Sequence, residues 1–543
     1  MHLSRISFLI LVICILGFFI RVFQLTQIPN SLSADEVAFG YNAYSILKTG
    51  RDEFGRNYPF YLQSFDDSKS PLLAYALIPF VGLLGLNAFA IRFPSVIFGT
   101  LAILLFYLLT YELSKNKKLS LLTCLFAAIS PWMIQYSRVA IDMEISLFLA
   151  LLGIYIFLKG QVNKYYLPVS AVIFGLAFYA YHSSRFWVVV FGFILLILYR
   201  RINRYLMFSL ILFILMTIPY LSLLIKDNAG LRLYAVSVFA DQEKKIQESK
   251  ILLKEKQENI FGANLIHNRR ILFFNQAING YLYILNPEIL FSPNRNNQIS
   301  TTRLFYLWQL PLLLIGCIYL FKNKHIRWLI IGWLIVGYIP GGLTSLPVFD
   351  RRIFLNSYPL LFLAALGFLS IYNEIKPWEK SRLLLKFLFV ILVSGSVFIY
   401  VHSYFIHGPR EVVELWGNGM KEIVSVSQQN SSKYEKVYVS LNLNQTLIFY
   451  LFYTQYPPEK YLSEGGTISG GYLDERNKFA NFIFKFITPK DYSEKNLYVW
   501  KVSEDFPCLK INQIVYLTNG TPLANIGEYQ PNLPLCIRSL KPL

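Results

Sequence analysis

Two adjacent carboxylates, Asp35 and Glu36, follow directly on the first long apolar run, in the stretch Ser33-Ala34-Asp35-Glu36-Val37-Ala38-Phe39-Gly40. Further along stand Lys69, Arg138, Asp142, Tyr181, His182, Arg185, Arg351 and Arg352, each in a link beside an apolar segment or at its edge. Residues of these types suit one kind of chemistry. A carboxylate takes a proton from an attacking hydroxyl, and cations hold a phosphate whose charge grows as its bond breaks. A phosphate leaves readily, so one base suffices where an ordinary glycoside also needs an acid. Each residue has a plainer reading as well. Ser33 and the two acids are ordinary helix-capping residues. Arg138 and Asp142, four apart, make an ion pair at one helix end. Lys69 anchors at lipid headgroups, and Tyr179 to Arg185 forms an aromatic belt closed by a cation.

The elements that must position these residues are set by composition. The 543 residues are 55% hydrophobic and 17% aromatic but only 15% charged, with a mean hydropathy of +0.44. Soluble domains carry about 25% charged residues, so the chain reads as an integral membrane protein. The net charge of +19 lies in short clusters between apolar runs, which orient a chain in a bilayer and do not suggest a nucleic-acid partner. Met1 to Gln24 has a basic start and a long apolar core with no small-residue cleavage site after it, so an uncleaved anchor helix is expected.

Eleven apolar stretches are long enough to be read as spans. Short links carrying Lys115, Lys117 and Lys118, Lys159 and Lys164, Arg200, Arg201 and Arg204, Lys322, Lys324 and Arg327, and Lys376, Lys380 and Arg382 all fall on one side. The positive-inside rule makes that side cytoplasmic, with the N-terminus inside and the C-terminus outside. This holds only if Pro71 to Leu86, which is apolar but broken by Pro79, Gly82 and Gly85, lies at or re-enters the exterior interface. The candidate site residues then share the exterior face. Charges at a bilayer are expensive and mark a polar site.

The expected fold class is a polytopic α-helical membrane protein with a small exterior α/β domain at the C-terminus. Residues 1–403 form the transmembrane part, with exterior loops 27–87 and 227–303, and 404–543 form the soluble part. Within the long loop, Asp241 to Asn259 reads as a helix of alternating charge, and Asn275 to Arg295 as an aromatic segment on the membrane surface. In the tail, Val437 to Val439, Leu497 to Trp500 and Gln513 to Tyr516 read as strands, and Gln445 to Tyr453 as a helix. Cys508 and Cys536, both exterior, are able to pair as a disulfide. Zinc spacing, a Walker A motif and a dinucleotide-binding glycine pattern are all missing from the sequence. No cofactor is required by this reading. No metal is assigned, and a divalent ion joining Asp66 and Asp67 to Glu36 is the alternative.

Several motifs, in order, resemble the GT-C membrane glycosyltransferases of the protein O-mannosyltransferase and aminoarabinose-transferase type. Asp35-Glu36-Val37-Ala38-Phe39-Gly40 is similar to the acidic pair that begins that family's first exterior loop. Lys69-Ser70-Pro71 is similar to its Lys/His-Pro-Pro element, with Ser70 in place of the first proline, and Arg92-Phe93-Pro94-Ser95 to its Arg-x-Pro-Ser. Ser130-Pro131, Ser137-Arg138 and Asp142 follow its Ser-Pro…Ser-Arg…Asp segment. Thr344 to Arg352 corresponds loosely to a Pro-His…Arg loop that here lacks the histidine. The tail does not resemble the MIR domain of eukaryotic protein mannosyltransferases.

The resemblance implies an inverting glycosyltransferase that moves a sugar from a polyprenyl-phosphate donor to a hydroxyl on a protein, glycan or lipid acceptor. It implies a site at the exterior face of the plasma (inner) membrane, among membrane lipids. Asp35 would be the base and Glu36 a helper touching acceptor or sugar. Lys69, Arg138, Asp142, Arg351 and Arg352 would bind the donor phosphate or order the acids, and Tyr181, His182 and Arg185 would be substrate contacts. An envelope polysaccharide polymerase or ligase, and a lipid or glycan transporter, remain as alternative functions.

Overall fold

The computed structural model describes residues 5–64, 67–199, 203–226, 237–240, 242–293, 302–322, 326–344, 350–375, 379–411, 417–468, 477–534 and 536. Asp66 and residues 345–349 of the arginine-bearing motif lie outside these.

All eleven apolar stretches read from the sequence are helical. The first helices are α1 (Arg5–Val22), α2 (Ala34–Thr49), α3 (Leu72–Leu84), α4 (Ala88–Ser114), α5 (Lys117–Ile129) and α6 (Pro131–Ser137). They are followed by α7 (Met143–Gly160), α8 (Tyr166–Phe178), α9 (His182–Leu198) and α10 (Arg204–Lys226). Later apolar helices cover Gln309–Lys322, Arg327–Gly342, Ser357–Glu374 and Glu379–His402. Among the described residues six helices are long and apolar enough to cross a membrane, or seven if the bent pair α5–α6 counts as one span. Four shorter apolar helices, Leu72–Leu84, Tyr166–Phe178, His182–Leu198 and Gln309–Lys322, accompany them. The outer helices carry their apolar residues outward: Phe8, Ile15 and Phe19 on α1, and Leu383, Phe387 and Phe398 near the other end of the chain, are all more than half exposed. Such surfaces are stable in lipid. The chain is an integral membrane protein.

One expected span is interrupted. Ser130 ends α5 and caps α6, with Pro131 at the first helical position, and the two helices meet at 55°. Proline fits there because its missing N–H is not needed in a first turn. The bend turns Tyr136 and Arg138 into the protein.

A large core of the bundle runs through Phe106, Trp132, Leu147, Trp187, Trp333 and Tyr358. The segment expected on the membrane surface partly joins it, because Ile284, Ile289, Leu290 and Phe291 are buried in this core. The charged segment before it forms the helix Gln242–Gln257.

After a short hairpin, β1 (Leu62–Ser64) and β2 (Asp67–Lys69), the tail contains strands β3 (Lys436–Ser440), β4 (Lys478–Phe479), β5 (Phe482–Lys485), β6 (Asn496–Lys501), β7 (Leu509–Tyr516) and β8 (Pro522–Tyr529). They form one six-stranded sheet in the order β4-β5-β3-β6-β8-β7. The central strand β3 is parallel to β5 and β6, while the β6–β8–β7 edge is antiparallel. Helices Met420–Ser431 and Thr446–Tyr453 cover the sheet, and Cys508 and Cys536 are joined by a disulfide. The tail does not stand apart from the rest. Val37, Phe39 and Tyr41 of α2 and Leu73 and Leu77 of α3 share one buried cluster with Ile448, Phe449, Phe452 and Tyr461 of the tail.

Candidate active site

Helix α2 begins where capping chemistry directs. The Ser33 hydroxyl accepts from the Glu36 N–H at 3.3 Å, and the Glu36 carboxylate accepts from the Ser33 N–H at 2.9 Å. This reciprocal arrangement satisfies two backbone donors, with the cap contributing about 1 kcal/mol, and the helix dipole favours acids in the first turn. Gly50, at φ 70°, ends the helix with its N–H on the Ile46 carbonyl. Asp35 and Glu36 are thereby fixed side by side but point to different surroundings.

Glu36 is wholly buried, as is its partner Arg92. Arg92 Nε lies 2.8 Å from Oε1 and its NH2 3.2 Å from Oε2, while the Ala140 N–H donates to Oε1 at 3.0 Å. The guanidinium also donates to the carbonyls of Leu25, Pro29 and Ser31. Glu36 therefore faces the protein interior, not an open edge where acceptor or sugar could touch it, because every direction around its carboxylate is taken by protein donors.

Arg138 is likewise placed elsewhere than the donor-phosphate reading requires. It is fully buried, and it donates to the carbonyls of Ile20 at 2.9 Å, Arg21 at 2.8 Å and Ile28 at 2.8 Å. Its guanidinium also lies 4.8 Å from the Phe405 ring centre. These carbonyls belong to the C-terminal end of α1 and the turn after it, where a cation satisfies groups the helix leaves unpaired. The Arg138–Asp142 ion pair read from their spacing does not form.

Asp35, by contrast, keeps about a third of its side chain exposed (34%), against 9% for Lys69. Lys69 Nζ lies 2.5 Å from Asp35 Oδ1, and Arg351 NH1 lies 3.7 Å from Oδ2. Lys69 arrives on a two-stranded hairpin, β1 (Leu62–Ser64) against β2 (Asp67–Lys69), in which Leu62 pairs with Lys69. Arg351 arrives on the short 3-10 helix Asp350–Asn356, directly before the helix Ser357–Glu374.

Asp142 closes the other side. It sits just before α7 and is buried, and its carboxyl is pushed up to about 7, first by burial and then by the negative charge of Asp35. Lys69 and Arg351 pull it the opposite way. Tyr181 lies in the combined field of Asp142, Arg351 and Arg352.

His182 and Arg185 complete the ring from the start of α9. Arg185 donates to the Ser70 hydroxyl at 2.8 Å, to the Tyr220 hydroxyl at 2.5 Å and to the Phe178 carbonyl at 3.2 Å. Its guanidinium lies 4.0 Å from the centre of the Tyr220 ring, and His182 Nδ1 is 3.0 Å from its NH1. Arg185 thus braces the strap that carries Lys69.

Eight of the ten residues read from the sequence therefore converge, and Glu36 and Arg138 do not. Two partners were missed. Tyr136 donates to buried Asp350 at 2.8 Å, and Arg92 holds Glu36. Arg92 carried a readable signal, since an arginine in the second turn of an apolar helix demands a buried partner. Among the described residues no three His, Cys, Asp or Glu side chains are grouped to hold a metal ion.

The fold has known counterparts. The family model described as dolichyl-phosphate-mannose-protein mannosyltransferase matches residues 68–223. The apo structure of ArnT from Cupriavidus metallidurans superposes with a TM-score of 0.53 at 11% identity, covering 96% of this chain and 97% of that one. The archaeal oligosaccharyltransferase AglB from Archaeoglobus fulgidus superposes with a TM-score of 0.50 at 12% identity, over 80% of this chain. The chain spans 62% of the length of AglB. Sequence comparison with curated proteins finds no match. By the matched segment and by its fold, the chain resembles the GT-C superfamily of membrane glycosyltransferases, in the protein O-mannosyltransferase and aminoarabinose-transferase group.

Proposed function

We propose that this protein transfers a sugar, with inversion, from a polyprenyl-phosphate donor to a hydroxyl acceptor at the exterior face of the plasma (inner) membrane. The observation that carries the reading is Asp35. It is a partly open carboxylate on a capped helix, flanked by Lys69 at 2.5 Å and Arg351 at 3.7 Å. The acceptor hydroxyl gives its proton to Asp35 as its oxygen attacks the anomeric carbon. The carbon–oxygen bond to phosphate breaks on the opposite side, and the polyprenyl phosphate leaves with the bonding electrons. Arg351 and Arg352 receive the charge that develops on it, and Lys69 orients Asp35. Asp142, Tyr181, His182 and Arg185 line or brace the same site. No cofactor enters this sequence of steps, and no metal is assigned to it.

Two neighbours support the donor class. ArnT was also solved bound to undecaprenyl phosphate, with a TM-score of 0.51 to this chain, and AglB in complex with an inhibitory peptide and a dolichol-phosphate. The transmembrane catalytic part is assigned to 1–403 and the exterior part to 404–543. Protein, glycan and lipid hydroxyls all fit the chemistry of the acceptor. The test is to supply membranes containing the protein with polyprenyl-phosphate sugars and follow release of polyprenyl phosphate together with the anomeric configuration of the product. Inverted product supports the reading, whereas retained configuration or transport without bond cleavage refutes it.

A further inference from the structure

Behind the site, on the far end of α2, a second carboxylate is sealed in the interior. Glu53 is 4% exposed, although it lies in the loop just after α2, and the reaction steps do not use it. Its backbone N–H donates to Asn42 Oδ1 at 3.1 Å, and Asn42 Nδ2 donates back to Glu53 Oε1 at 2.9 Å. The other oxygen accepts from the tail, where the Thr467 hydroxyl lies 2.9 Å from Oε2. The Thr467 N–H adds a bond to the Glu53 carbonyl at 3.0 Å, and the Tyr461 hydroxyl lies 2.8 Å from the Thr467 hydroxyl. One buried acid therefore joins the middle of α2 to the tail domain.

The surroundings are shaped for this join. A Cβ on Gly40 would come within 2.7 Å of the Phe452 ring, so the glycine lets the helix Thr446–Tyr453 lie directly on α2. Gly466 takes φ +65°, and a Cβ there would come 3.0 Å from the Glu53 carbonyl oxygen, so only glycine turns the chain without crowding that acceptor. Tyr41 adds a hydroxyl bond to the Tyr456 carbonyl at 3.1 Å. The charged and titratable groups facing Glu53 are Asp52 from its own turn, Lys69 from β2, Tyr41 from α2 and Tyr461 from the tail. Lys69, whose ammonium contacts Asp35, is thus within the electrostatic reach of both acids.

We propose that Glu53 is a positioning residue: it keys the tail domain onto α2 and so fixes the helix that carries Asp35 and the setting of Lys69. The tail is then a structural part of the catalytic unit. Burial pushes the Glu53 carboxyl up to about 7, and a buried carboxylate without full compensation costs more than its neutral form. The join is tightest with Glu53 protonated and loosens as pH rises through about 7.

The activity arm of the test rests on the sugar-transfer reading; the exchange arm does not. Full-length protein, Glu53→Gln, Glu53→Ala and Thr467→Val are compared by hydrogen exchange of residues 34–49 and 458–468 between pH 5.5 and 8, expressed as protection factors. Wild-type protection is expected to fall with rising pH, Glu53→Gln to lose most of that slope, and Glu53→Ala to lose about tenfold in protection. Turnover of a polyprenyl-phosphate sugar should fall about tenfold in kcat for Glu53→Ala with little change in KM, while Glu53→Gln stays near wild type. Where Glu53→Ala does not fold, Thr467→Val carries the same exchange prediction. Unchanged protection in Glu53→Ala and Thr467→Val, or a wild-type pH slope in Glu53→Gln, overturns the proposal. Exchange that behaves as expected in a protein with no transfer activity would support the join and refute the enzymatic reading alone.

Discussion

Lys69 holds Asp35 at 2.5 Å, ammonium to carboxylate, across the gap between a short hairpin and the first turn of α2. The lysine is nearly buried, whereas the carboxylate stays partly open. In the proposed reaction this asymmetry suits a positioned base, since one oxygen is held by the protein while the carboxylate stays open to solvent.

Lys69→Met should therefore lower kcat by about a hundredfold, the scale of losing one oriented charge at a reacting centre. Lys69→Arg should recover only part of this, because the planar guanidinium does not reproduce the ammonium at that distance. Steady-state kinetics with a polyprenyl-phosphate sugar check both, and wild-type activity in Lys69→Met would remove Lys69 from the account.

Glu36 and Arg92 should behave as a structural pair. Arg92→Met leaves the buried Glu36 carboxylate with only the Ser33 and Ala140 N–H groups and the Ser33 hydroxyl as partners, and breaking such a pair costs about 3–5 kcal/mol. Thermal unfolding in detergent should show a large loss for Arg92→Met and for Glu36→Ala. Arg138→Met should likewise lower stability, since the carbonyls at the end of α1 lose their donor. A folded, stable Arg138→Met with a raised KM for donor would restore the donor-phosphate role.

The contrast between Asp35 and Glu36 marks how far the sequence could be read. The start of α2 was legible, because Ser33 and the two acids are a local capping pattern. The eleven helical stretches were legible from apolar length, and the site's convergence followed from placing Lys69, Asp142 and the arginines at segment ends. The opposite facing of Asp35 and Glu36 was not legible, since it depends on Arg92, 56 residues on from Glu36. The surroundings of Arg138 were hidden for the same reason: its partners are carbonyls more than a hundred positions away. The bend at Ser130 was hidden within an unbroken apolar run. The core shared by α2, α3 and the tail could not be inferred, because no periodic pattern reports which distant surface a helix face meets.

Asp142 makes a pH prediction. Its carboxyl stands at about 7 in the folded protein against 3.8 for the free group. A raised acid contributes stability that is fully present below the lower value and is lost as pH rises to the higher one. Asp142→Asn should remove this component, so its unfolding midpoint should decline less than wild type between about pH 4 and pH 7. Asp35→Asn should shift the same titration downward by removing a repelling charge. Thermal unfolding across pH checks the first, and carboxyl titration by NMR or infrared difference spectroscopy the second.

The disulfide between Cys508 and Cys536 ties the start of β7 to a position 28 residues on. Closing a loop of that length restricts the unfolded chain by about 3–4 kcal/mol. Reduction, or Cys508→Ser, should lower the unfolding midpoint of the tail and raise exchange in β7 first, because β7 is an edge strand. Unchanged exchange at β7 would show that the sheet alone holds that edge.

The most direct test of the central claim is turnover by Asp35→Asn. Asparagine keeps the size of the side chain and its place in the first turn but cannot accept the acceptor's proton. The account predicts that release of polyprenyl phosphate falls by about a thousandfold, while donor binding and thermal stability stay close to wild type. Transfer at a wild-type rate by a folded Asp35→Asn protein would contradict it.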